Sequence, residues 1–158
     1  MVETTDFRDA MSLLTGAVNV VTTEGETGRY GFTASAVCSV TDSPPTLLVC
    51  MNRASSSHDH FVANKILSVN VLGAQHEAIS QVFSSKRDAK ERFEHGAWTS
   101  LETGAPVLAD SLVSFDCEVD QVQEVGTHTI FICHIKAIQK SEQNQSLVYF
   151  NRAYHYCG

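Results

Sequence analysis

Between Gly31 and Thr41 the chain reads Gly-Phe-Thr-Ala-Ser-Ala-Val-Cys-Ser-Val-Thr, and a period of two separates it into two faces. Phe32, Ala34, Ala36, Cys38 and Val40 share one face; Thr33, Ser35, Val37, Ser39 and Thr41 share the other. The second face is nearly a row of short hydroxyls. A solvent-facing strand usually carries Lys, Glu, Arg or Gln, whose stems shield the sheet. Alanines and small hydroxyls instead let a large, flat molecule come close to the backbone, although a strand packed under a loop would carry the same pattern. Ser55-Ser56-Ser57 precedes a short helical pattern through Phe61 and Val62. Hydroxyls and free N–H groups at a helix N-terminus bind anions, with help from the helix dipole, but they also cap helices without any ligand. His128 follows Gly126-Thr127 at a break between two strands. Its ring either projects into a cleft there or lies on a surface turn.

Other chemistries find no support. The sequence has no G-x-G-x-x-G, no P-loop and no G-x-S-x-G elbow. His58-Asp59-His60 has the composition of a metal site, but histidines two apart on a helix point to different faces, and no third ligand follows at a useful spacing. The five cysteines, Cys38, Cys50, Cys117, Cys133 and Cys157, include no Cys-x-x-Cys pair. Four of them sit in apolar strand patterns, where a thiol acts as a small hydrophobe, and this usage fits a reducing cytoplasm.

The elements that must position these residues are mostly strands. Phe7, Ala10, Met11 and Leu14 make one apolar stripe of a helix that Thr5 or Asp6 would cap and Gly16 would end. Ala17–Thr23 is a first strand, turning through residues 24–28 into the hydroxyl-lined strand. Asp42-Ser43-Pro44-Pro45 is a firm turn, and Thr46–Met51 is an unbroken apolar run, as for a strand buried on both faces. Ile66–Leu72 is a strand, Gln75–Phe83 an amphipathic helix, and residues 84–95 a polar loop with a helical turn carrying Lys86, Arg87, Lys90 and Arg92. Val113–Asp120 and Thr129–Ile138 alternate cleanly, and residues 147–150 and 153–156 close the chain. Hairpin-like spacing favours a closed antiparallel barrel over a doubly wound parallel sheet.

A chain of 158 residues suits one domain, 1–158, with room for a real core. A formal charge of −7 and the lack of a basic stripe argue against a nucleic-acid grip. No apolar run approaches the roughly 20 residues that span a bilayer, and the N-terminus lacks signal-peptide features, so a cytoplasmic location with no membrane partner is expected.

Phe7-Arg8-Asp9-Ala10-Met11, Ala17–Thr23, the Gly31–Asn52 stretch, Gly126-Thr127-His128 and the tail at Tyr154-His155 together resemble the short-chain flavin reductases that serve two-component monooxygenases. The likeness is nearest to the reductase of 4-hydroxyphenylacetate 3-monooxygenase, with the pyrimidine-utilisation reductase close by. This resemblance implies a mainly β split barrel with peripheral helices, usually a homodimer, that reduces FMN or FAD with NADH or NADPH. The reduced flavin would pass to a separate oxygenase acting on 4-hydroxyphenylacetate or a similar phenol. The alternatives are a reductase for a pyrimidine-utilisation monooxygenase, a non-catalytic flavin-binding module, or a split-barrel oxidase of another small molecule. The resemblance also implies the site. Thr33, Ala34, Ser35, Ala36, Val37 and Ser39, with Cys50, Met51 and Asn52, would face the flavin ring. Ser55, Ser56 and Ser57 would hold its phosphate, and Lys90 and Arg92 would add charge. His128 would lie beside the nicotinamide, near Tyr154 and His155. Thr127 stands where the family usually has Asp, so any role of that acid is absent.

Overall fold

In the computed structural model, which describes residues 1–158, the chain begins with helix α1 (Thr4–Met11) and the two-residue strand β1 (Gly16–Ala17). Strands β2 (Asn19–Gly25), β3 (Gly28–Ala34), β4 (Val37–Asp42) and β5 (Pro45–Asn52) follow, then α2 (His58–Asn64) and β6 (Ile66–Val71). A turn of 3-10 helix leads into α3 (Glu77–Ser84), then α4 (Ala89–Arg92), β7 (Trp98–Ser100) and β8 (Pro106–Leu108). The long strands β9 (Val113–Val125) and β10 (His128–Lys140) precede β11 (Ser146–Phe150) and β12 (Ala153–Cys157). Seven strands form one sheet in the order β3-β2-β6-β9-β10-β5-β4, with every pairing antiparallel. β1, β11 and β12 form a second, small sheet. No helix is long and apolar enough to cross a membrane.

The hydroxyl-lined stretch is two strands, not one. β3 and β4 lie at opposite edges of the large sheet, yet only Ser35 and Ala36 separate them in the chain. The two edges therefore approach each other at that bend, without a hydrogen-bonded ladder between them. The period of two runs straight through residues 33–39 and gives no sign of this break. The residues at the bend, Ala34, Ser35 and Ala36, are all small, with Ala34 in the core and Ser35 and Ala36 exposed.

Two apolar clusters flank β2, whose residues Asn19–Thr23 are all buried. Val21 joins Leu47, Val49, Met51, Phe61, Leu67, Val69 and Phe131 in the interior of the curved sheet. Val20 faces the other way, onto Val82 and Phe83 of α3 and Leu108 of β8. β5 is half-covered rather than buried on both faces, because Leu48 and Cys50 look outward while Leu47, Val49 and Met51 are core. Similarly, Cys38 and Cys157 are exposed, and only Cys117 and Cys133 behave as buried hydrophobes. α1 starts at an uncapped Glu3 instead of Thr5 or Asp6 and buries no residue. It is held by Arg152, whose guanidinium reaches Asp9 at 2.7 Å, and by the Asn151 N–H, which donates to the Ser12 carbonyl at 2.7 Å.

The two buried thiols make stability depend on alkaline pH. Burial pushes Cys133 from the ordinary 9.0 up to about 12. It pushes Cys117 in the same direction, with Cys133 and Asp116 adding to the effect. The unfolded chain releases these protons near pH 9 while the native state keeps them, so rising pH favours unfolding. The loss is absent below 9 and grows by up to about 1.4 kcal/mol per pH unit per thiol towards 12. Denaturant midpoints measured between pH 8 and 11 should therefore fall less steeply in Cys133→Ala than in wild type. Parallel slopes would show that this thiol ionises normally in the native state.

Candidate functional site

Ser35 and Ala36 are pinned by backbone bonds. The Cys50 N–H donates to the Ala36 carbonyl at 3.0 Å and the Val37 N–H to the Ser35 carbonyl at 2.9 Å. From β2, Asn19 Nδ2 donates to the Ala34 carbonyl at 3.0 Å. Both Ser35 and Ala36 are exposed, and the Ser35 hydroxyl makes no hydrogen bond within the chain. Beside them opens a cleft of about 230 Å³. Thr33, Ala34 and Ser35 form one wall, Ser80 and Ser84 of α3 another, and Tyr149 and Tyr154 close it from the small sheet. Four hydroxyls of this cleft are already engaged, Ser84 Oγ among them, which donates to the Ser80 carbonyl at 3.1 Å. Thr33 Oγ1 donates to the Ser80 carbonyl at 2.6 Å, and the Tyr154 and Ser80 hydroxyls share a hydrogen bond of 2.7 Å. Ser80 thus ties β3 to β12 across α3. Thr33 and Tyr154 hold the cleft's shape, while Ser35 keeps a free hydroxyl.

The row of small residues does not make one continuous platform. Beyond the bend, Val37 and Ser39 line a different, largely apolar cavity of about 370 Å³, with Asn19, Leu47, Phe115 and Ile135. Met51 is 1% exposed and belongs to the core, so its side chain is closed to any ligand. Cys50, half-buried, faces outward; burial raises its thiol, and Cys38 on the neighbouring strand raises it further.

The second group of candidates comes together at the end of β5. Asn52 pairs in register with His128, which is the first residue of β10 instead of part of the turn. The Asn52 side-chain oxygen accepts from the Ala54 N–H at 2.9 Å, which starts the loop that carries the serines. Arg53 fastens this loop to the β9–β10 turn. Its N–H donates to the Thr127 carbonyl at 3.0 Å and its guanidinium to the His128 carbonyl at 2.9 Å. The imidazole of His128 is exposed, with Nδ1 2.9 Å from Thr127 Oγ1. Of the serines, Ser56 is exposed, Ser55 is half-buried and Ser57 is buried at the N-cap of α2. No side chain caps that helix; the Ser55 hydroxyl instead accepts the Ser57 N–H at 3.4 Å. The His58-Asp59-His60 triplet disperses as its spacing predicts. His58 Nε2 meets Thr129 Oγ1 at 2.8 Å, whereas the His60 ring stacks on Tyr30 at 3.7 Å. No three His, Cys, Asp or Glu residues converge anywhere in the chain.

The remaining candidates separate. The two terminal nitrogens of the Arg92 guanidinium donate to the Gly31 and Ser85 carbonyls, both at 2.6 Å, and burial lowers its pKa from the ordinary value. It is a strap between β3 and the α3–α4 linker rather than a free charge. Lys90 is exposed and lines a larger cavity near the β2–β3 turn. Tyr154 and His155 alternate across β12, so Tyr154 faces the cleft while His155 turns away to pack against Phe150 at 6.1 Å. Ser80, Ser84, Tyr149 and Arg53 were not singled out by the sequence reading. Ser80 and Ser84 at i and i+4 on α3 were the available signal, since that spacing puts two small hydroxyls on one helix face.

With this geometry established, comparison with known proteins gives a consistent picture. Residues 11–158 match the model of the flavin reductase like domain. The FMN reductase (NADH) RutF of Bradyrhizobium diazoefficiens is 53% identical over 153 residues, covering 97% of this chain and 85% of that protein. The RutF of Acinetobacter baylyi is 55% identical over 148 residues, covering 94% and 79%. Among solved structures, a flavin reductase from Haemophilus somnus superposes with a TM-score of 0.97 at 52% identity, over 99% of this chain and all of that one. The flavin reductase PheA2 gives a TM-score of 0.89 at 28% identity, covering 99% of each chain. A family match over residues 11–158 and more than half of all residues shared with such relatives mean that the chain belongs to the flavin reductase-like family, oxidoreductases that reduce FMN or FAD with NADH.

Proposed function

We propose that this chain is an FMN reductase of the RutF kind, supplying reduced flavin to a monooxygenase of pyrimidine utilisation. The sequence-based preference for a 4-hydroxyphenylacetate or other phenol oxygenase gives way, because the RutF proteins resemble this chain at 51–55% identity. The flavin and nicotinamide supply hydride transfer from C4 to N5, which needs no protein nucleophile. The protein's task is to hold two rings in contact and let one leave.

The observation that carries this reading is the exposed Ser35–Ala36 bend, where a strand of small residues changes sheet edge beside a hydroxyl-rich cleft. Ser35 offers a free hydroxyl and its neighbours offer close backbone approach for a flat ring. Asn52 ends β5, two residues beyond Cys50, whose N–H bonds the Ala36 carbonyl at the bend, and Ser55 and Ser56 in the loop that follows would take the flavin's phosphate. His128, paired with Asn52, stands at the side from which the nicotinamide would approach. The sheet then works as a split barrel whose two edges meet at the flavin. The exposed apolar stripe of Phe7, Met11 and Leu14, which nothing covers within one chain, would be buried against a second copy in a homodimer.

Ser35→Leu tests the platform. A branched side chain at the bend should raise the Michaelis constant for FMN at least tenfold with near-wild-type thermal stability, since Ser35 is exposed and its hydroxyl makes no hydrogen bond. Unchanged FMN kinetics in the folded variant would place the ring elsewhere. A non-catalytic flavin-binding module is distinguished by its failure to consume NADH when free flavin is added.

A further inference from the structure

Thr127, Arg53 and His58 converge on His128 and the two residues beside it. The turn between β9 and β10 is only Gly126-Thr127, with Val125 and His128 paired across it. Gly126 adopts φ +55, the left-handed conformation that such a turn needs at its first position, and Thr127 follows without one. The Thr127 hydroxyl lies 2.9 Å from His128 Nδ1, and neither group has another partner in the chain. Arg53 holds both carbonyls of the Thr127-His128 pair, at 3.0 Å through its backbone N–H and at 2.9 Å through its guanidinium. No carboxylate pairs with that guanidinium. Thr129, the next residue, is wholly buried, with Oγ1 2.8 Å from His58 Nε2.

An exposed histidine ordinarily turns about two side-chain bonds, and a ligand that needs one orientation must freeze it. At position 128 the backbone is held on both sides and one ring nitrogen is engaged, so Nε2 is the nitrogen left free. An imidazole nitrogen either donates or accepts, which suits a carboxamide, since that group offers an N–H and a carbonyl side by side. NADH carries its carboxamide next to the ring carbon that gives up hydride, so whatever holds the one aims the other. We propose that Thr127 and Arg53 are positioning residues for hydride transfer. The Thr127 hydroxyl sets the His128 ring so that Nε2 meets the nicotinamide carboxamide, and Arg53 fixes the carbonyls from which that ring projects; this rests on the nicotinamide side proposed above for His128. Arg53 stands two residues before Ser55, yet its guanidinium serves the nicotinamide side of the site and not the flavin's phosphate.

Anaerobic stopped-flow reduction of FMN by saturating NADH, on the full chain, tests this. Thr127→Val keeps the side chain's shape and removes its hydroxyl. It should slow reduction about tenfold, the size of one hydrogen bond, with binding of oxidised FMN unchanged, and Thr127→Ser should restore most of the rate. Arg53→Ala should slow reduction by about the same factor, equally for FMN and riboflavin. In a His128→Ala background neither substitution should have a further effect, because residues that act through one imidazole lose their part once it is gone. Additive losses in that background would overturn the proposal, and so would reduction by Thr127→Val as fast as by wild type. A loss in Arg53→Ala that spares riboflavin would overturn the part given to Arg53, making it a phosphate ligand. If His128→Ala itself reduces as fast as wild type, the place of His128 beside the nicotinamide is what fails, and the hold on the ring is judged by nitrogen NMR. A His128 Nδ1 resonance displaced in Thr127→Val supports that hold, and an unmoved one overturns it.

Discussion

His128→Ala should slow reduction of bound FMN by NADH about a hundredfold and leave binding of oxidised FMN within a factor of two. A misplacement of about 1 Å between hydride donor and acceptor is enough for a loss of that size. His128 begins β10 opposite Asn52, and its carbonyl is held by Arg53, so the imidazole projects from a fixed backbone. The proposed ring contacts lie two strands away, at Ser35 and Ala36, and alanine at 128 leaves them intact. Stopped-flow reduction under anaerobic conditions separates the two halves. Reduction as fast as in wild type would make His128 a surface residue and move the nicotinamide to the Tyr149–Tyr154 wall of the cleft.

The second large effect is on stability. Phe61→Ala should cost about 3–5 kcal/mol, the usual range for emptying a buried phenylalanine site. Phe61 is wholly buried and sits edge-on to Phe32, 5.3 Å between centres, and 6.3 Å from Phe131. It is the anchor by which α2, and the serine loop before it, lies against β3 and β10. Set against a typical total of roughly 5–15 kcal/mol, the loss would bring the protein near unfolding at ambient temperature. Urea denaturation measures it directly, with Phe61→Leu expected to recover more than half. A loss below about 1 kcal/mol would mean that α2 is held by its polar ends at Thr129 and Thr23 instead.

The contrast between these two residues shows where sequence is informative. Phe61 was visible as part of an apolar helical pattern because burial imposes periodicity, and β9 and β10 were visible for the same reason. The end of β9 was not, because Gln121–Val125 run beyond Glu118, the last β9 residue paired with β6, and their side chains are all exposed, so nothing there demands alternation. The register also shifts between Ile132 and Cys133, which breaks the pattern where the strand would have been followed. The bend at Ser35–Ala36 was hidden for a different reason. Alternation records which way side chains point, and it continues unchanged while the backbone passes from one sheet edge to the other. The small residues were the legible trace of that bend. Lys90 and Arg92 looked equivalent as charges in one helical turn. Only the tertiary position of Gly31 and Ser85 shows that Arg92 is a strap and Lys90 is free. Family likeness carried the assignment of activity, since hydride transfer between two cofactors requires no distinctive side-chain constellation.

The most direct test of the account is anaerobic mixing of the purified protein with NADH and free FMN while the visible absorbance of the flavin is followed. The account predicts multiple turnovers, bleaching of FMN in large molar excess over protein, and transfer of that reduced FMN through a dialysis membrane to a separate monooxygenase. Bleaching that stops at one equivalent per protein, or reduced flavin that never leaves the protein's side of the membrane, would contradict it.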